Sequence, residues 1–280
     1  MAETRHEGLT LGAFLVLNAL LIVAAETTGE FFHATGLIHG FALFFIVLAG
    51  TRIFRRYDVY DPELRIYMRY ALAAMTVFAV SHLVELFSIV VLKNYEDATF
   101  ATAVALYAVS LLLLMAGSAS LNRNIRKTSY APIAIAWASM GALGLFIVAM
   151  LSERVTISLE PDGPTPYVLA AGLTVLSVAA IVQAVRIARH YVSYASFFRH
   201  MVVVTVLVSA AAYQYVFYEA IEDLGIPEHR VIYLSHYFFY AAISAMYLAF
   251  GASLRPRGVF EDVRKFIDQT DSPLEKKGEK

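Results

Sequence analysis

Apolar residues in this chain come in long unbroken runs, not in the stripe of a surface helix or the alternation of a half-buried strand. Eight such runs are separated by short polar segments: 9–25, 31–51, 69–92, 98–121, 130–151, 167–186, 200–222 and 231–253. Each is close to the roughly 20 residues that carry a helix across a hydrocarbon core. The fourth and fifth runs contain no ionisable residue. Pro62, Pro161, Pro164, Pro166, Pro227 and Pro256 fall between runs or at their ends. Pro132 lies in the first turn of the fifth run, where a missing N–H costs little. The pattern predicts an all-α, polytopic membrane protein with eight transmembrane helices.

Charge on the intervening segments orients those helices. All of the 22 Lys and Arg residues except Lys93, Arg154 and Arg230 fall on the side of the N-terminus, the even-numbered loops and the C-terminus. The other side is acidic, with Glu26, Glu30, Glu96, Asp97, Glu153, Glu160, Asp162, Glu222, Asp223 and Glu228. Basic loops stay on the cytoplasmic face, so both termini are expected there. The first run is read as an uncleaved span, because its leading segment is only weakly basic. A cell-membrane, multi-pass localisation follows.

The chain also repeats itself. Arg52-Ile53-Phe54-Arg55-Arg56-Tyr57 resembles Arg186-Ile187-Ala188-Arg189-His190-Tyr191 at an offset of 134. The same offset pairs Tyr60 with Tyr194, Arg65 with Arg199, Glu85 with Glu219, Ser110 with Ser244 and Gly117 with Gly251. Two four-helix units are therefore expected, 1–128 and 129–254, followed by a short charged tail, 255–280. Four is an even number, so the units share one orientation, as parallel repeats about an axis along the membrane normal. Gly36 with Gly40, and Gly141 with Gly144, are candidate points of close helix approach.

Composition narrows the function. Apolar residues make up 59% and charged residues 16%, with a mean hydropathy of +0.62. That excludes a soluble enzyme and a disordered chain. A net charge of −1 argues against a nucleic-acid partner. With no cysteine, disulfides, thiolate metal sites and cysteine nucleophiles are absent. No lysine lies inside a run, which removes a retinal Schiff base. Phosphate loops, HExxH, GxSxG and closely spaced histidine boxes are also missing.

Ionisable residues inside a span are costly and usually face the protein interior. With the orientation above, His39, His82, Glu85, Glu219 and His236 share a layer in the outer half of the membrane. His82 and Glu85, spaced i, i+3, lie on one helix face. The same layer in the last two runs is rich in hydroxyls: Tyr213, Tyr215, Tyr218, Tyr233, Tyr237 and Tyr240. Such a layer can coordinate a divalent metal through His82, Glu85, Glu219 and His236. It can ligate a haem b through His39, His82 or His236, or carry protons. The same pairs can also act as plain hydrogen bonds that fix packing. The repeated basic motif supplies Arg52, Arg55, Arg65, Arg186, Arg189 and Arg199, a pattern suited to anionic lipid headgroups.

The leading expectation is a membrane-embedded binding module for a metal ion, a haem or protons, in redox or ion handling. It would act as a non-catalytic subunit more than as a stand-alone enzyme, beside a membrane or soluble redox partner. The alternatives are a transporter with its pathway between the repeats, a quinol-interacting anchor, and a sensor or assembly subunit with no cofactor. No residue is singled out as catalytic.

Overall fold

A computed structural model describes residues 31–55, 57, 60, 62–88, 97–126, 129–151, 158–190 and 192–252, with a few single positions between 16 and 27. Apart from those positions, the first run lies outside the described residues, as does the tail from residue 255. Every element among the described residues is helical. Seven are long: α1 (Phe31–Arg55), α2 (Pro62–Leu86), α3 (Asp97–Arg126), α4 (Ala131–Leu151), α5 (Thr165–His190), α6 (Val192–Val216) and α8 (Glu228–Ala252). Between the last two lies a short helix, α7 (Tyr218–Asp223).

Six of these helices, α1 to α6, carry stretches long and apolar enough to cross a membrane. They answer to the second through seventh runs. The eighth run coincides with α8, a helix of 25 residues. Helix starts follow local chemistry. Pro62 opens α2 at a position where no N–H is needed. Ser129 Oγ accepts the N–H of Ala131, 3.1 Å away, and so caps α4.

Two boundaries move from their expected places. The third run is shifted toward its basic end, so α2 starts at Pro62 and closes at Leu86. The seventh run is not one helix. Phe217, at φ −111° and ψ 25°, leaves helical geometry and separates α6 from α7. A turn at Leu224–Gly225 then ends α7. Gly225 N–H bonds the Glu222 carbonyl at 2.7 Å, and its φ of 82° is one that an L side chain resists.

α3 is the centre of the bundle. Its spanning stretch is 89% buried, against 11% for that of α4, which lies at the periphery. α3 packs along α2 most extensively, and α8 packs along α6 in the same way. α1 meets α2 and α8, while α5 meets α6 and α3.

Lipid tails are as apolar as leucine, so helices here are held by packing and polar ties. Ser110 Oγ on α3 reaches the Ala74 carbonyl on α2 at 3.1 Å. Ser177 on α5 and Ser209 on α6 share a hydrogen bond of 2.6 Å. Asn122 Nδ2 on α3 donates to Gln183 Oε1 on α5 at 3.0 Å. Tyr240 on α8 donates to the Ile38 carbonyl on α1. Among the described glycines, Gly117 is the one pressed most tightly against a neighbouring helix. A Cβ there would stand 2.8 Å from Tyr70 Cβ and 3.2 Å from Tyr67 Cδ2. Three of the four glycines expected to serve this purpose do not: Gly40, Gly141 and Gly144 have nothing within 4 Å of an added Cβ.

Candidate metal centre

One carboxylate organises the interior at the acidic end of the bundle. Glu85 sits on the last turn of α2 with 1% of its surface exposed, and His39, His82 and His236 surround it with none. His39 and His236 each lie eight residues inside the acidic-end terminus of their helix, about 12 Å down at 1.5 Å per residue.

The geometry is tight. His39 Nε2 is 3.2 Å from Glu85 Oε2, and His236 Nε2 is 3.7 Å from the same oxygen. His82 Nδ1 is 3.8 Å from Glu85 Oε1. Ring centroids are 4.2 Å apart for His39 and His236, 5.4 Å for His82 and His236, and 6.0 Å for His39 and His82. Three hydroxyls complete the carboxylate's shell. Tyr215 OH on α6 donates to Oε2 at 2.9 Å. Ser81 Oγ, one turn back on α2, donates to Oε1 at 3.2 Å. Tyr107 OH on α3 also donates to Oε1. Five helices thus converge on a single side chain. Phe78 and Phe239 seal the cluster: Phe78 packs 4.8 Å from the His82 ring, and Phe239 packs 5.2 Å from that same ring.

His236 is set up as a ligand. Its Nδ1 lies 2.8 Å from the Ile232 carbonyl one turn earlier. A carbonyl only accepts, so Nδ1 carries the proton and Nε2 keeps its lone pair. That Nε2 is buried and finds no hydrogen-bond partner, and the same holds for His82 Nε2. Buried polar atoms are normally satisfied, so the orphaned His236 nitrogen, 3.7 Å from a carboxylate oxygen, needs an explanation. His39, Glu85 and His236 bring their ligand atoms within 4.8 Å of one another. Metal–nitrogen and metal–oxygen bonds near 2.0–2.2 Å span separations of this order, so the three residues can hold a metal ion. The His39 and His236 pair does not suit axial ligation of a haem. His39 and His236 meet edge to face, which leaves no gap for the plane of a macrocycle.

Of the residues expected in this layer, His39, His82, Glu85 and His236 come together. Glu219 does not. The break at Phe217 carries it onto α7, half-buried, where Oε1 accepts from Tyr218 OH at 3.1 Å. The tyrosines divide. Tyr215 joins the cluster, Tyr240 ties α8 to α1, Tyr213 bonds Thr174 on α5, and Tyr237 is partly exposed. Tyr107 and Ser81 were not expected here. Ser81 was within reach of a spacing argument, being i−4 to Glu85 on the same face. Tyr107 was not, because it is one of six hydroxyl-bearing residues in the fourth run, with Thr99, Thr102, Ser110, Ser118 and Ser120, and the sequence does not reveal which of them turns toward Glu85.

The basic residues lie at the opposite end. Arg55, Arg186, Arg189 and Arg199 are exposed and Arg65 is half-buried; the Arg52 side chain lies outside the described residues. Arg65 Nε donates to the Tyr60 carbonyl at 2.8 Å, and its guanidinium lies 5.9 Å from the Tyr57 ring. Arg69 Nε donates to Tyr57 OH at 2.5 Å.

Comparison with protein-family models, with curated proteins and with solved structures gives no match to this chain.

Proposed function

We propose that this chain is a multi-pass membrane protein that holds one divalent transition-metal ion through His39, Glu85 and His236, with His82 as a further nitrogen ligand. The observation that carries the reading is the unpartnered Nε2 of His236, fixed by its Nδ1–H to Ile232 and facing Glu85. Imidazole and carboxylate donors without thiolate suit zinc, iron(II), copper(II) or nickel(II) and disfavour calcium and magnesium. Tyr107, Tyr215 and Ser81 orient the carboxylate, as outer hydrogen bonds do at metal sites. A cation also answers an electrostatic need. A buried carboxylate inside a membrane is costly, and the groups bonded to Glu85 are imidazole and hydroxyl.

The depth of burial favours a resident ion over transported cargo, because an ion held by these side chains is shielded from water. Redox or ion handling at the acidic end of the bundle is the role we assign. The basic end faces the cytoplasm, by the distribution of Lys and Arg, and the plasma membrane is the proposed address. We also propose that 1–128 and 129–254 are repeated units. The offset of 134 supports this, and so does the reciprocal packing in which α1 meets α8 as α5 meets α3. At that offset His39, His82 and His236 correspond to Leu173, Val216 and Thr102, and Glu85 to Glu219, so the equivalent position keeps the carboxylate but none of the imidazoles.

The test is elemental analysis and an absorption spectrum of the full chain purified in detergent, with the His39→Ala/His236→Ala double variant beside it. The expected result is about one zinc, iron, copper or nickel per wild-type chain, none in the variant, and no Soret band. A wild-type protein that stays metal-free after exposure to each ion would overturn the reading and leave a structural hydrogen-bond network.

A further inference from the structure

At the basic end of the bundle, a second polar feature stands apart from the metal centre. The end of α3, the start of α4 and the last turns of α5 enclose a cleft of ≈ 770 Å³. Its polar wall is Asn122, Ser129, Gln183, Arg186 and Arg189, and its apolar wall includes Ile181 and Val185. Asn122 is buried, and its amide is held by Gln183 at 3.0 Å, so the floor is built and does not depend on mobile surface chains. Arg186 and Arg189, spaced i, i+3, project from one face of α5 into the same space. No carboxylate lines the cleft among the described residues.

These features distinguish three arginines of the repeated motif. In the first copy, Arg65 is engaged by the Tyr60 carbonyl and the Tyr57 ring. In the second copy, Arg186 and Arg189 open into a cavity. Two guanidinium groups side by side match the oxygens of a phosphodiester. Basic pockets between helix ends at the membrane surface are sites for anionic headgroups.

We infer that this cleft binds the headgroup phosphate of an anionic phospholipid from the adjoining leaflet. Arg186 and Arg189 clamp the phosphate, Gln183 and Ser129 offer further hydrogen bonds, and Ile181 and Val185 meet the start of the acyl chains. A phospholipid is favoured over free phosphate because the cleft combines charge with an apolar wall and lies at the ends of spanning helices.

Native mass spectrometry of the full chain in neutral detergent tests this, with phosphatidylglycerol, phosphatidylcholine or inorganic phosphate added as the probe. Wild type should retain phosphatidylglycerol at least tenfold better than phosphatidylcholine. Arg186→Gln/Arg189→Gln should abolish that preference, whereas Arg55→Gln should leave it intact. Arg186→Lys/Arg189→Lys, which keeps charge but loses the fork, should fall between the two and serves if the glutamine pair does not fold. Unchanged phosphatidylglycerol retention in both double variants overturns the assignment. So does inorganic phosphate displacing the lipid at equal concentration, which would mark a site for the free ion.

Discussion

His39 Nε2 and Glu85 Oε2 lie 3.2 Å apart although 46 positions separate them in sequence. The pair joins α1 to α2 at a depth where neither side chain touches solvent. Further polar groups gather on the same carboxylate: His236 and Tyr215 share the oxygen that faces His39, while Tyr107 and Ser81 take the other.

If an ion sits at this pair, its removal must weaken the fold, because an ion that binds only the native state stabilises it by mass action. The gain is about 2.7 kcal/mol at a free concentration one hundred times Kd. Thermal unfolding in detergent, with and without a strong chelator, should show a lower midpoint for the stripped protein and recovery when the metal is returned. In His39→Ala/His236→Ala the two curves should coincide. A chelator shift of equal size in that variant would place the ion elsewhere.

Tyr107→Phe and Tyr215→Phe each remove one hydroxyl from Glu85 and keep the ring. Outer hydrogen bonds to a ligating carboxylate are typically worth 10- to 100-fold in metal affinity, so each variant should bind more weakly within roughly that range. Competition with a chelating dye reads this directly. Affinity equal to wild type in both would mean that the tyrosines serve packing alone.

Gly117→Ala should destabilise the bundle by about 1–3 kcal/mol, the usual cost of overpacking. The new Cβ would stand 2.8 Å from Tyr70 Cβ, an atom next to the backbone that cannot swing aside. Gly141→Ala, where the space is open, is the matched control. Equal unfolding midpoints for the two variants would contradict the close approach of α2 and α3.

Gly225→Ala forces a methyl-bearing residue to φ 82°, at a cost of roughly 1–2 kcal/mol. The turn it closes holds α7, not the metal ligands. Faster proteolysis near residue 225 with unchanged metal content is therefore the expected pattern.

The fold was largely legible because a bilayer imposes a length rule, and α1 to α6 are apolar over a membrane's thickness. The convergence of His39, His82, Glu85 and His236 was legible for a related reason: polar groups are expensive in lipid and gather where other helices shelter them. Glu219 went astray because hydropathy does not register a local break, and the departure at Phe217 changed which element carried it. The glycines at 40, 141 and 144 misled in a similar way, since small size permits close approach without causing it. Tyr107 stayed hidden because hydroxyls are scattered along the fourth run, and only the packing of α3 among its neighbours decides which of them meets Glu85.

Because His39 lies on α1 and His236 on α8, ribosome and insertion machinery deliver the His39 imidazole well before that of His236. A nascent chain that has not yet inserted α8 lacks the His236 imidazole, however well its earlier helices have entered the bilayer. On the reading proposed above, occupancy of the centre would report on biogenesis itself: a metallated molecule would be one whose α8 has already docked.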